Sequence, residues 1–317
     1  MSRRWPGAEF RLRQVRQRGH KAPMSTASPI TAIVVTYDSA EVLPDCLAAL
    51  AAEGVPAIVV DNASGDDSAE IARTQGATVL VNARNEGYGR ANNRGVAAST
   101  APFVLIVNPD VAIRPGAVAA LLAAAETYPD AAMLAPRIVE PSGRVFLQPR
   151  SLLSPDHLNR AGAMAIPEGD ACLPFLSGAC LLIRREVFAA LGGFDPAIFL
   201  FYEDDDLCRR LRDTGHALVH VHGAEAGHGR GRSTAPSAAR RFKARWHLAW
   251  SEAYVAAKYG LPRPGLTRIL ENLAKAAGYA MLFRREKMFA HAGSAAGALA
   301  WRRGLSATQR EGLEAPA

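Results

Sequence analysis

Ile30-Thr-Ala-Ile-Val-Val-Thr-Tyr37 is a nearly unbroken run of apolar and β-branched residues. A half-exposed strand would alternate polar with apolar, so this run reads as a strand buried on both faces. The segments downstream of it set the fold class. Leu43, Leu47 and Leu50 recur at helical spacing, and Pro44 falls in the first turn, where its missing N–H costs nothing. Ala57–Val60 is a second apolar strand and runs into Asp61-Asn62. A polar turn and helix extend through Ile71, Thr78–Val81 is a third strand, and Tyr88–Ala98 is a short glycine-containing helix. Phe103–Val107 is a fourth strand, ending at Asn108-Pro-Asp110, and Pro115 suits the first position of a helix to Tyr128. This βαβα rhythm predicts an α/β fold with a mostly parallel central sheet flanked by helices. Beyond Tyr128 the pattern loosens. Ala179–Ile183 and Ala217–Val221 read as strands, Glu203–Thr214 as a helix closed by Gly215, and Pro149–Pro174 as a loop over the site. The chain turns helical and basic after Gly229, and no internal repeat occurs.

The 317 residues are 49% apolar and 21% charged, an ordinary globular composition. No apolar run approaches the roughly 20 residues that span a bilayer, and the N-terminus lacks the apolar core of a signal peptide. Four cysteines without CxxC spacing (Cys46, Cys172, Cys180, Cys208) suit neither a disulfide scaffold nor a zinc site. A cytoplasmic protein is the expectation. The net charge of +7 is unevenly spread. Residues 1–29 carry seven Lys/Arg against one Glu, 30–229 carry fourteen against twenty-four acids, and 230–317 carry sixteen against five. An acidic body between basic ends does not resemble a nucleic-acid groove. It suits a catalytic body whose basic surfaces meet phosphates or an anionic membrane face. Three regions are expected: a disordered basic tail over 1–28, with Met24 as a natural start; a catalytic domain over 29–235; and a basic helical extension over 236–317.

In open parallel sheets, ligands bind at the carboxyl ends of the strands. Asp61 and Asp110 both stand there. Either alone could merely begin a turn; two in one sheet point to a site. The stretch Asn82–Gly95 adds glycines and amide and guanidinium donors near the same ends, without forming a Walker A or dinucleotide-binding motif. In Glu203-Asp-Asp-Asp206, acids in a first helical turn complement the macrodipole. Asp205 and Asp206 are expected to pair with Arg209 and Arg210 at i,i+4, worth about 0.3 kcal/mol each. Glu203 and Asp204 have Leu207 and Cys208 at i+4, so that explanation does not cover them.

Val34-Val-Thr-Tyr37, Val59-Val-Asp-Asn-Ala-Ser64, Asn85-Glu-Gly-Tyr-Gly89, Asn92-Asn93, Asn108-Pro-Asp110, Gly192-Gly-Phe-Asp195, Phe201-Tyr-Glu-Asp204 and His228 occur in that order. Together, over Ile30–Ser233, they resemble the family 2 glycosyltransferases, especially rhamnosyltransferase-like members. The resemblance implies a GT-A fold with a C-terminal helical extension, a dTDP-, UDP- or GDP-sugar donor and inversion at the anomeric carbon. It also implies a divalent cation, Mg²⁺ or Mn²⁺, as hard oxygen ligands and phosphates would suit. By the same resemblance, Thr36 and Asp61 hold the base, Arg84 and Asn85 line its pocket, and Asn108 sits near the ribose. Asp110 and His228 ligate the cation, Arg232 and Ser233 hold the diphosphate, Asp204 is the catalytic base, and Glu203 orients the acceptor. Where many relatives have Asp-x-Asp, this chain has Asn108-Pro-Asp110, one charge fewer at the cation. The implied activity is transfer of rhamnose or a related sugar to a glycan or polyprenyl-linked acceptor in cell-envelope polysaccharide synthesis, at the inner face of the plasma membrane.

Two other classes are open to the residues alone. A sugar-phosphate nucleotidyltransferase would need a Gly-rich basic loop after the first strand, and Thr36-Tyr-Asp-Ser39 is not one. A noncatalytic basic binding module fits poorly with the acidic body. A polysaccharide synthase would carry transmembrane helices after the catalytic part. In the basic extension, Phe242, Trp246, Trp250 and Tyr254 recur every four residues. Such a ridge packs on the catalytic core or meets a lipid headgroup layer, with Arg284, Arg285, Lys287, Arg302 and Arg303 on the basic side.

Overall fold

A computed structural model describes residues 28–148, 151–155, 166–229 and 237–314. The expected tail over 1–28 lies almost wholly outside the described residues, as do Arg232 and Ser233. Buried apolar runs form the strands β1 (Ile30–Thr36), β2 (Ala57–Asp61), β3 (Thr78–Val81) and β4 (Phe103–Val107). They alternate with helices α1 (Leu43–Ala52), α2 (Ser68–Thr74) and α3 (Tyr88–Ala97). Then come β5 (Val111–Ile113), α4 (Ala117–Thr127), β6 (Ala131–Val139), β7 (Val145–Phe146), β8 (Ala171–Cys172) and β9 (Cys180–Arg184). Helices α5 (Arg185–Ala190) and α6 (Glu203–Asp213) and strand β10 (Ala217–His228) complete the sheet region.

The sheet order is β3-β2-β1-β4-β9-β6-β10-β5, with β7 on β6 and β8 on β10. Strands β3, β2, β1 and β4 are parallel to one another, as are β6 and β10, while β9 runs antiparallel between β4 and β6. The mostly parallel α/β expectation therefore holds with an antiparallel insertion. Side chains of β1 alternate between two cores. Ile30, Ala32 and Val34 pack with Leu43, Leu47, Leu50 and Leu121 on one face; Ile33 and Val35 pack with Ala91, Phe188, Leu207 and Leu211 on the other. Helix α3 lies so close to the sheet that a Cβ on Gly95 would stand 2.4 Å from Ile33 Cγ2. Only glycine permits that approach.

The order β3-β2-β1-β4 places a switch point beside β1, where the winding direction reverses and a crevice opens at the strand ends. The register sets Thr36 beside Asp61 there. Strand β10 runs seven residues past its expected end at Val221, through an irregularity before Glu225, and pairs antiparallel with β5 so that His228 faces Val111. The expected loop over Pro149–Pro174 includes β8 in its described part.

The C-terminal region forms α7 (Ala238–Lys258), α8 (Leu266–Met281), α9 (Arg285–Arg302) and α10 (Ala307–Arg310). The tryptophans of the aromatic ridge on α7 are buried, and Phe242 and Tyr254 at its ends are half-buried. Trp246 and Trp250 are each 3% exposed and pack with Phe199, Trp301 and Leu313, with Trp250 stacked on Tyr254 at 5.2 Å. Of the two roles open to the ridge, packing on the catalytic body is what the structure shows. No helix among the described residues is long and apolar enough to cross a membrane.

Candidate active site

A cleft of about 480 Å³ opens at the carboxyl ends of β1, β2 and β4. Its walls include Tyr37, Asn62, Asn85, Asn108, Glu203, Asp204 and His228. Thus five of the residues expected from the sequence to form a site, Asn85, Asn108, Glu203, Asp204 and His228, line one cavity.

Thr36 and Asp61 lie buried at its base. The Thr36 hydroxyl donates to Asp61 Oδ1 at 3.1 Å, and the Ser64 N–H donates to Oδ2 at 3.1 Å. These two donors fix the carboxylate's orientation at the end of β2. Asn62 then knits the next loop to it. Its amide donates to Asn85 Oδ1 and the Gly87 carbonyl, while its Oδ1 accepts from Asn82 and from the Glu86 N–H. Sequence reasoning places Asn62 in a motif but misses its role in shaping the pocket, which has no signal beyond position. Arg84, expected beside Asn85, instead donates to the Gly312 carbonyl of the C-terminal segment and does not line the cleft.

Asp110 and His228 come together through the β5–β10 pairing, with Nε2 of His228 3.2 Å from Asp110 Oδ1. Among the described residues, both buried Asp110 oxygens and His228 Nδ1 are without hydrogen-bond partners. A buried carboxylate left in that state is costly unless something cationic satisfies it. The donor set fits a hard divalent cation that takes its remaining ligands from phosphate and water. Among the described residues, no cluster of three or more protein ligands exists.

The acidic run occupies the first turn of α6. Phe201 and Tyr202 both take left-handed backbone (φ 67° and 69°), which bends the chain sharply into the helix and turns Glu203 and Asp204 to the cleft. Asp204 is oriented by two backbone donors, Gly178 N–H to Oδ2 at 2.9 Å and Asp205 N–H to Oδ1 at 3.0 Å. The Tyr88 hydroxyl holds the Gly178 carbonyl at 3.0 Å. Glu203 is buried, and Oε2 has no partner; burial and then the Asp204 charge push it well above the usual carboxylate range. The same causes push Asp205 up to about 8.

One expectation for this run is corrected and one holds. Arg209 does not pair with Asp205; it turns to Asp213, with Nε 2.8 Å from Oδ2. Asp205 points inward and is 7% exposed, so it is no surface pair. Asp206 does pair with Arg210 at 2.7 Å, yet it is fully buried and also takes Lys258 and Tyr259. It is a joint between α6 and α7. Nearby, His222 is held against the Pro167 carbonyl, and its N–H donates to Asp170.

A model of glycosyl transferase family 2 matches residues 31–192, just over half of the chain. The chain belongs to that family. It is 33% identical over 246 residues to the N-acetylglucosaminyl-diphospho-decaprenol L-rhamnosyltransferase of Mycobacterium tuberculosis, covering 67% of this chain and 78% of the relative. The pre-mycofactocin glycosyltransferase of the same organism is 28% identical, over 63% of this chain and 43% of its own. Among solved structures, a mannosyltransferase from Pyrobaculum calidifontis in complex with GDP-Man and Mn²⁺ superposes with TM-score 0.52 at 18% identity, covering 87% of this chain and 88% of the other. Staphylococcus aureus TarS 1–349 does so with TM-score 0.52 at 14% identity, over 87% and 91%. These structural likenesses show the GT-A fold. This family 2 glycosyltransferase is thus an inverting enzyme, and the nucleotidyltransferase and binding-module readings fall away.

Proposed function

We propose that the chain transfers L-rhamnose or a closely related sugar from a nucleoside-diphosphate donor to a polyprenyl-diphosphate-linked glycan acceptor. Two supports meet here: the likeness to the mycobacterial rhamnosyltransferase over two thirds of the chain, and the geometry of the cleft. One observation carries the chemistry. Asp204 faces the cleft with both oxygens aimed by backbone N–H groups, in a cavity also lined by His228, which adjoins the unpartnered Asp110.

In this reading Thr36 and Asp61 take the donor's base, with Asp61 accepting from a ring N–H of uracil or thymine, and Asn85 lines that pocket. Asn108 stands at the ribose. Asp110 and His228 would hold Mg²⁺ or Mn²⁺, which supplies positive charge to the leaving diphosphate. Arg232 and Ser233, which come after His228 in the chain, add donors to the same phosphates. Asp204 removes the acceptor hydroxyl's proton as that oxygen attacks the face of the sugar opposite the diphosphate. Burial raises the carboxyl groups of Glu203 and Asp205 and so favours their neutral forms. The neutral form of Glu203 donates a hydrogen bond that orients the acceptor. Residues 29–235 form the catalytic domain and 236–317 an extension. The natural place for such an acceptor is the inner face of the plasma membrane, with the enzyme attached peripherally.

The test is direct. Purified chain is mixed with dTDP-rhamnose and with UDP- and GDP-sugars, with Mg²⁺, Mn²⁺ or EDTA, and release of nucleoside diphosphate is measured. Cation-dependent release from dTDP-rhamnose, increased by a polyprenyl-diphospho-N-acetylglucosamine acceptor, is expected. Release from none of the donors under any condition would sink the proposal.

A further inference from the structure

We propose that α8 and the turn after it form the element that docks this enzyme on an anionic lipid surface, a role that the aromatic ridge of α7 cannot fill because its tryptophans are buried. This deepens the lipid-linked acceptor reading by naming the surface involved.

An amphipathic helix on a globular body normally buries its apolar stripe. Helix α8 does the reverse. Leu266, Leu270, Leu273 and Met281 lie on one face and are 56%, 63%, 50% and 76% exposed. Its polar residues lie off that face, Arg268, Glu271 and Lys275 exposed and Asn272 and Tyr279 half-buried, and several of them tie the helix to its neighbours. Arg268 donates to both Glu252 oxygens at 2.5 and 3.0 Å, Asn272 meets His291 at 2.9 Å, and Tyr279 stacks on His291 at 5.5 Å. Only Ile269 and Ala276 are buried on α8, and Ile269 packs against Ala249, Ala295 and Ala298. These contacts pin the helix with its leucines outward.

The stripe continues into the α8–α9 turn. Leu282 is 67% exposed, and Phe283, at left-handed φ 53°, is 90% exposed. Arg284, Arg285 and Lys287 come at once after it, all exposed, and neither arginine makes an ion pair among the described residues. An apolar stripe ending in a bare aromatic tip and a basic cluster is complementary to an interface whose acyl region is apolar and whose headgroups are anionic. In sequence, residues 230–317 carry eleven more basic than acidic groups, the same sign of charge. Helix α8 is too short and too charged to span, so it lies in the interface plane.

The experiment uses the full chain and sedimentation with vesicles of phosphatidylcholine, with and without phosphatidylglycerol, at low and high salt. Binding is expected to favour the anionic vesicles and to weaken with salt. Leu270→Glu with Leu273→Glu should lower partitioning by about tenfold or more, with melting temperature and donor hydrolysis unchanged, because both side chains point to solvent. Arg284→Glu with Arg285→Glu should remove the preference for anionic lipid. Equal binding to both vesicle types at low salt, or unchanged partitioning of the leucine variant, would overturn the proposal. So would a parent chain that is dimeric in solution, becomes monomeric in the leucine variant and does not bind vesicles, since a second copy would then be the occupant. Vesicle binding without donor hydrolysis by the parent would instead remove the transferase reading and leave the docking surface standing.

Discussion

Neighbouring carboxylates on α6 should respond in opposite ways to the same substitution. Asp205 titrates near 3.8 when unfolded but is held to about 8 in the fold, by burial first and the Asp204 charge second. A raised carboxylate pKa means that the folded state binds a proton which the unfolded chain has lost. Unfolding between those pH values releases that proton, so stability falls as pH rises, by about 1.4 kcal/mol per unit. At pH 7 the accumulated cost is on the order of 4 kcal/mol. Asp205→Asn has no proton to retain. After allowing about 1 kcal/mol for disturbed hydrogen bonding, the variant should be more stable than the parent at pH 7 by about 1–3 kcal/mol. That amounts to a rise of several degrees in Tm, vanishing near pH 4. A surface helix pair would have given the opposite sign and no such pH dependence. Asp204→Asn removes the group that takes the acceptor's proton while keeping its size. Turnover should fall by about 10²–10⁴, or roughly 3–5 kcal/mol of barrier, with donor affinity almost unchanged. Thermal unfolding from pH 4 to 8, with turnover and donor binding at pH 7, reads all of this. If Asp205→Asn is less stable than the parent at pH 8, Asp205 is not a buried, protonated group. If Asp204→Asn turns over normally, the base is elsewhere.

Asp110→Ala should abolish cation-dependent binding of the nucleoside diphosphate, measured by calorimetry with and without Mn²⁺; unchanged Mn²⁺-dependent affinity would remove Asp110 from the site. Gly95→Ala forces a Cβ to 2.4 Å from Ile33, so a loss of about 1–3 kcal/mol is expected in denaturant unfolding, with the family fold retained by circular dichroism. Glu311 accepts from Lys243 and contacts His247. Although burial opposes it, these partners hold its carboxyl down at about 2. Its contribution is therefore complete above pH 4.5 and lost as pH falls from 4.5 towards 2, and Glu311→Gln should flatten that part of the acid unfolding curve.

Much of the fold was legible because continuous buried runs can only be strands or core helices. Ile30–Tyr37, Ala57–Val60, Thr78–Val81 and Phe103–Val107 each correspond to a strand in the structure, to within a residue. Short pairings far apart in sequence were not legible. Strand β5 has three residues, too few for any period, yet its pairing with the end of β10 is what brings Asp110 to His228. Spacing along the chain offers His228 no partner; the family resemblance does. The acidic run failed differently. Its i,i+4 arithmetic is symmetric, since Arg209 can reach back to Asp205 or forward to Asp213, and it chose the exposed one. Which acids are buried depends on the segments that fold over the first turn, such as Gly178 and its N–H, and helix periodicity does not report those.

The same limit applies to the aromatic ridge of the C-terminal region. A four-residue aromatic period looks identical whether its face meets a core or a membrane, and the partner decides. On α9, Gly293 and Gly297 stand one turn apart, and a Cβ on either would strike the α7 backbone, at 2.4 Å from the Phe242 carbonyl and 2.1 Å from that of Trp246. Small residues at this spacing let two helices approach until their backbones touch, as in membrane-helix pairs. Helix α9 thereby seals the tryptophans of α7 from solvent. The apolar contact left to α8 is Ile269 on Ala249, Ala295 and Ala298. An interface built from side chains that small cannot also cover four large apolar residues on the far face of α8. The two glycines that bury the tryptophans therefore also determine which helix presents its leucines to whatever lies outside.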